Sequence, residues 1–199
     1  MRHRRKSRVL GRSPSHRKAL LKNLASAIFL TERDAELDEN APKVPGRIVT
    51  TLEKAKEVRP LVEKCITIAK KSLDSAAEAE KFATSAERGS EEYKQWRESD
   101  DWQKWAAARA PVVNAQRRVI QLIGDKQATR VLFDRVAERF VDRPGGYTRI
   151  VRLATPRLGD AGTRAILEFV GKNDRVSKSS VKPAFASEEP AETTEPAVS

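Results

Sequence analysis

Sustained apolar periodicity begins at Leu20. Leu20, Leu24, Ala27 and Ile28 fall on one helical face with Leu21 beside them. Just upstream, Ser13 reads as an N-cap and Pro14 as the first helical residue, where a missing N–H costs nothing. Residues 31–46, TERDAELDENAPKVPG, lose the pattern and read as a loop or insert. Arg47–Thr51 is a short β-branched run, a candidate strand. Thr50 and Glu53 have capping-box spacing. Ala55, Val58, Val62, Cys65, Ile66 and Ala69 then carry a helix to about Leu73. Pro60 inside it predicts a kink or a later start. Residues 74–110 break into helical pieces around Gly89, and Pro111 restarts a helix whose apolar positions are Val112, Val113, Val119, Ile120 and Ile123.

Gly124 is a helix stop, and Asp125 is the N-cap of a further helix with Val131, Leu132, Phe133, Val136 and Phe140 inside. Asp142–Gly146 is a turn. From Tyr147 to Leu153 the side chains alternate, with Thr148, Ile150 and Arg152 on one face and Tyr147, Arg149, Val151 and Leu153 on the other. The β-branched content there supports a strand, and Ala165–Gly171 is a second strand, able to pair with the 147–153 strand as an antiparallel hairpin with a long loop. The pattern predicts an α+β chain, an α/β-type small domain of several helices on a short three-stranded sheet. The expected layout is an extended basic arm over 1–12 and one domain over 13–172, carrying insertions at 31–46 and 74–110. An acidic tail over 173–199, rich in Ser, Pro, Ala, Glu and Thr, is expected to be disordered.

Charge changes the picture most at the N-terminus. Residues 2–22 contain nine Lys or Arg and no acid, against a net charge of +11 for all 199 residues. Such a segment cannot fold by burying itself, and its natural partner is a polyanion such as nucleic acid. The same arm also fits a targeting peptide or a solubility tail. Against targeting, the helix runs directly into apparent core without an h-region or a small-residue cleavage site. The single cysteine, Cys65, sits in an apolar helical pattern and reads as buried filler. His3 and His16 both lie in the arm, so a zinc site or a histidine-based triad has too few parts. No run of about 18 apolar residues is long enough to span a membrane.

Residues 74–110 are net acidic and hold all three tryptophans. Tyr93, Trp96, Trp102 and Trp105 read either as the local core of an insertion or as a contact patch for a neighbouring protein. Gly145-Gly146 lacks the lysine and following helix of a phosphate-binding P-loop. No isolated pair of carboxylates is set apart for acid–base chemistry, so an enzymatic reading has no residues to rest on.

The blocks MRHRRKSRVLGRSPSHRKALLKNLA, TTLEKAKEVRPLVEKCITIAKK and DRPGGYTRIVRL together resemble the bacterial large-subunit ribosomal protein seventeen family, in that family's order. The resemblance implies a structural, non-catalytic protein of the large subunit without cofactor, metal, membrane or small-molecule substrate. It implies a cytoplasmic, ribosome-associated location near the polypeptide exit side, with rRNA and neighbouring ribosomal proteins as partners. The rRNA-contacting residues it implies are Arg2, His3, Arg4, Arg5, Lys6, Arg8, Arg12, Ser15, His16, Arg17 and Lys18 of the arm, and Arg143, Gly145, Gly146, Tyr147, Thr148 and Arg149 of the glycine turn. Lys22 extends the cationic set of the first helix. Both acidic insertions depart from the family pattern. The alternative reading is a non-ribosomal nucleic-acid binder.

Overall fold

The computed structural model describes residues 7–36 and 38–171. The expectations for Arg2–Lys6 and for the tail over 173–199 therefore lie outside the described residues. Elements follow in the order α1 (Pro14–Leu30), β1 (Arg47–Thr51), α2 (Leu52–Lys70), α3 (Leu73–Glu80), α4 (Glu91–Glu98), α5 (Asp100–Ile123), α6 (Lys126–Val131), β2 (Thr148–Arg152) and β3 (Arg164–Phe169). After α6 the helix widens to a π turn over Leu132–Val136 and tightens to a 3-10 turn at Glu138–Phe140.

The sheet is antiparallel throughout, in the order β1-β3-β2. Ala165, Leu167 and Phe169 of β3 alternate inward and are buried, so the helices cover one face. The other face stays open. There Val49, Ile166 and Val151 stand side by side, and Glu168 sits between Arg47 and Arg149. The core joins Ile28 and Phe29 of α1, Val58, Val62, Cys65 and Ile66 of α2, Val119 and Ile123 of α5, and Leu132, Val136 and Phe140 beyond α6. Phe29 stacks on Phe169 at 6.0 Å between ring centroids, which ties α1 to the central strand.

Local rules account for most element ends. Gly124 takes a left-handed φ of 82° at the end of α5, and the Asp125 carboxylate accepts from the backbone N–H of Gln127 and Ala128. Four expectations need correction. The buried stripe of α1 is Ala25, Ile28 and Phe29, with Leu21 and Leu24 packed alongside, while Ala27 is exposed. Thr50 stays in β1, so Thr51 is the N-cap of α2 and no capping box forms. α2 starts at Leu52 and runs through Pro60. α5 likewise runs unbroken through Pro111. Both prolines are exposed, as are the residues four positions earlier, so water can take the carbonyl bonds that proline cannot make.

The loop between α1 and β1 is held down by its own acids. Glu32 pairs with Arg139 at 2.7 Å and Asp34 with Arg135 at 3.3 Å, while Arg33 pairs with Asp38 at 2.9 Å. Glu32 and Asp34 thereby neutralise arginines of the helical segment beyond α6.

Candidate nucleic-acid interface

The described part of the arm is not extended throughout. Leu10 and Gly11 both adopt left-handed conformations, with φ of 57° and 61°, and the Arg12 N–H donates to the Val9 carbonyl at 3.2 Å. A left-handed leucine costs on the order of 1–3 kcal/mol. Arg8 reaches back to α2, where its Nη1 donates to Glu57 Oε1 at 2.7 Å. Arg12 donates from Nη1 to the Leu10 carbonyl at 3.0 Å, and its Nε is buried with no acceptor among the described residues. A buried N–H left this way costs roughly 1–3 kcal/mol.

On α1, Ser15, His16 and Lys18 are exposed and Arg17 is half-buried. Lys22 Nζ donates to the Gln121 carbonyl at 3.3 Å. Lys18 and Lys22 line a cleft of about 550 Å³ together with Lys64 of α2 and Arg118 of α5. Leu21, Leu61 and Leu122 supply its apolar lining, and no carboxylate lines it. Lys64 and Arg118 look like ordinary solvated residues on their own helices. Only the packing of α1, α2 and α5 brings them beside the α1 lysines.

In the glycine turn, Arg143 folds over the chain that follows. Its Nε donates to the carbonyls of Gly145 and Gly146, both at 3.2 Å, and its own carbonyl accepts from Lys70 Nζ at 2.6 Å. Both glycines are exposed, and a Cβ built on either meets nothing within 4 Å. Gly146 has a φ of 65°, which favours glycine. The next two residues are corrections. Tyr147 is 3% exposed and lies 5.2 Å from the Phe140 ring, so it is a core aromatic and offers no stacking surface. Thr148 is 2% exposed, and its hydroxyl donates to Glu63 Oε1 at 2.9 Å. Arg149 is exposed and pairs with its cross-strand neighbour Glu168 at 2.5 Å.

The aromatic residues over 74–110 pack on one another. Trp96 lies 5.6 Å from Tyr93 and edge-on to Trp105 at 5.5 Å, and its indole N–H donates to the Phe82 carbonyl at 3.1 Å. Trp102 carries the Arg97 guanidinium at 5.6 Å from its ring. All four rings stay half-buried. Cys65 is buried, and desolvation pushes its thiol up to about 12, opposed by Lys64. That is the reverse of what a nucleophile needs. Among the described residues no group of three or more His, Cys, Asp or Glu is placed to hold a metal ion, and no helix is long and apolar enough to cross a membrane.

The family model described as "Ribosomal protein L17" matches residues 20–170. The large ribosomal subunit protein bL17 of Rhodopirellula baltica is 73% identical over 196 residues, covering 98% of this chain and 93% of that protein. The bL17 of Sulfurimonas denitrificans is 38% identical over 170 residues, covering 85% of this chain and all of its own length, and that of Nitratidesulfovibrio vulgaris is 33% identical over 186 residues, covering 94% and 99%. A match through α2–α6 and all three strands, with identity this high over nearly the full length, places the chain: it belongs to the ribosomal protein L17 family.

Proposed function

We propose that this chain is a structural, non-catalytic constituent of the large ribosomal subunit, held on rRNA near the polypeptide exit side by its cationic N-terminal arm and by the glycine-turn block. The observation that carries this reading is the convergence of Lys18, Lys22, Lys64 and Arg118, from three helices, around one cleft without a carboxylate in its lining. Like charges gathered this way are favourable only opposite a polyanion. The cleft prolongs the cationic run of residues 2–22 onto the folded surface.

The mechanism is electrostatic and entropic. Arg2, His3, Arg4, Arg5, Lys6, Arg8 and Arg12, with Ser15, His16 and Arg17 at the start of α1, meet phosphates and release counterions. Arg143, Gly145, Gly146 and Arg149 add a second contact, where bare glycine backbone admits close approach. Tyr147 and Thr148 fix that turn from inside. Phosphate contacts set position, and RNA shape supplies selectivity. Deleting residues 1–12 tests the reading. Circular dichroism should show the domain still folded, and a filter-binding titration should show the loss of tight rRNA binding. Unchanged affinity overturns it.

A further inference from the structure

The cationic cleft between α1, α2 and α5 does not end at Arg118. That side chain also lines a second cleft, of about 280 Å³, with Ile68, Lys71 and Ser72 at the end of α2 and Pro111, Asn114 and Ala115 of α5. Sequence spacing explains why the two clefts join. On α2, Leu61, Lys64, Ile68 and Lys71 stand three or four apart and make one stripe. On α5, Pro111, Ala115, Arg118 and Leu122 make the facing one. The result is a single groove that runs about 15 Å from Leu61 to Lys71 at the helical rise. Its floor is apolar, because Leu21, Leu61, Ile68, Ala115 and Leu122 back onto the core yet stay only half-buried. Its rim is cationic, with Lys18, Lys64, Lys71 and Arg118 exposed. No carboxylate lines either cleft.

An apolar floor inside a cationic rim fits an acidic peptide with an apolar anchor, and this chain carries one. After Lys182 the sequence PAFASEEPAETTEPAVS holds Glu188, Glu189, Glu192 and Glu195 and no base. Phe185 is the only aromatic residue beyond Phe169, and it stands three and four residues ahead of the first two glutamates. Extended, Phe185 to Glu189 spans about 13 Å, close to the length of the groove. The chain also leaves the domain on the correct side. Val170 N–H donates to the Tyr147 carbonyl at 2.9 Å, and Tyr147 follows the turn whose Arg143 carbonyl accepts from Lys70 Nζ. Lys70 is the last residue of α2, so β3 ends near the Lys71 end of the groove. The stretch from Gly171 to Phe185 reaches up to about 46 Å, against a radius of gyration of about 16 Å for a domain of this size.

We infer that residues 183–199 of this chain dock in the α2–α5 groove when no RNA is bound. Phe185 enters the cleft of Ile68, Pro111 and Ala115, and the four glutamates follow along Arg118, Lys64 and the α1 lysines. Phosphate answers the rim alone, whereas a phenyl ring followed by carboxylates answers both floor and rim. Each exposed ion pair is weak, but tethering supplies the acids at an effective concentration on the order of millimolar. The segment is thus an internal polyanion that covers the groove until rRNA takes the rim. The displacement rests on the rRNA-binding reading above, and the docking does not.

The test has two arms, both on the full chain. Zero-length carbodiimide cross-linking of the RNA-free protein, read by mass spectrometry on the monomer fraction, should join Glu188, Glu189, Glu192 or Glu195 to Lys18, Lys22, Lys64 or Lys71. Links spread equally to the exposed Lys81, Lys94 and Lys104, or confined to Lys6, overturn the docking, as do links found only between two copies. Filter binding to purified large-subunit rRNA at low salt then compares the unaltered chain with two variants. One changes all four glutamates to Gln, and the other is Phe185→Ser, which leaves the charge unchanged. Both should bind about two- to tenfold more tightly, because the groove no longer has to be vacated. If only the glutamate variant gains affinity, the acids merely repel RNA and the inference is overturned. If the links fall in the groove and none of the three proteins binds rRNA tightly, the docking stands and the rRNA reading falls.

Discussion

Arg8 Nη1 lies 2.7 Å from Glu57 Oε1, so the cationic arm touches the domain through an ion pair to the first turns of α2. Arg8 is about half exposed and Glu57 largely covered. A partly exposed pair of this kind contributes no more than about 1 kcal/mol. It competes with RNA for Arg8 rather than securing it. Glu57→Gln should shift the urea midpoint by an amount equivalent to less than about 1 kcal/mol. It should leave rRNA affinity equal to or above that of the unaltered chain. A tenfold loss in filter binding would show that the pair holds the arm in its RNA-bound form instead.

The two glycines of the turn separate folding from binding. Gly145 has open space around its Cβ direction and no left-handed φ, so Gly145→Ala should leave the thermal midpoint unchanged. Gly146, with a φ of 65°, should cost about 1 kcal/mol on the same change. If RNA backbone closes on this turn, Gly145→Ala weakens rRNA binding without any change in stability. Equal affinity for the two proteins removes Gly145 from the interface.

Tyr147 is assigned to the core, and Tyr147→Leu checks that assignment. Loss of the ring from its contact with Phe140 should lower stability by roughly 1–3 kcal/mol, read from chemical denaturation. The salt slope of rRNA binding should not change under conditions where the variant stays folded. A reduced affinity at full folding would return this ring to the RNA surface.

Burial raises the Cys65 thiol to about 12 in the folded chain, against about 8.5 for a free thiol. Below the unfolded value both states keep the proton, and the thiol contributes no pH dependence. Between about 8.5 and about 12 the unfolded chain loses the proton while the folded chain retains it, so the folded state binds more protons and stability falls as pH rises. The loss approaches about 1.4 kcal/mol per pH unit within that window. Comparing the alkaline stability profile with that of Cys65→Ala isolates the effect, because the variant lacks this component. Parallel profiles would refute it.

The sequence made much of the fold legible because its signals were local. Gly124 followed by Asp125 marks a stop and a start whichever way the helices pack, and the β-branched run at Arg47–Thr51 has few other uses. Pro60 and Pro111 do not end their helices because the packing on either side holds each helix together and water reaches the orphaned carbonyl, and both are tertiary properties. Tyr147 was ambiguous for the same reason. Alternation shows which residues share a face but not which face is covered. The cationic clefts were illegible for a stronger reason. Lys18 and Lys64, like Lys56 and Arg152, line a common cleft only after elements apart in the chain have packed. The charge of residues 2–22, by contrast, needed no fold to be seen.

A density map of the large subunit from the source organism tests the central claim most directly. The account predicts Arg2, Arg4, Arg5, Lys6, Arg8 and Arg12 within hydrogen-bonding distance of rRNA phosphates, with the helical domain seated beside them. An arm running through solvent, clear of every nucleotide, would contradict it.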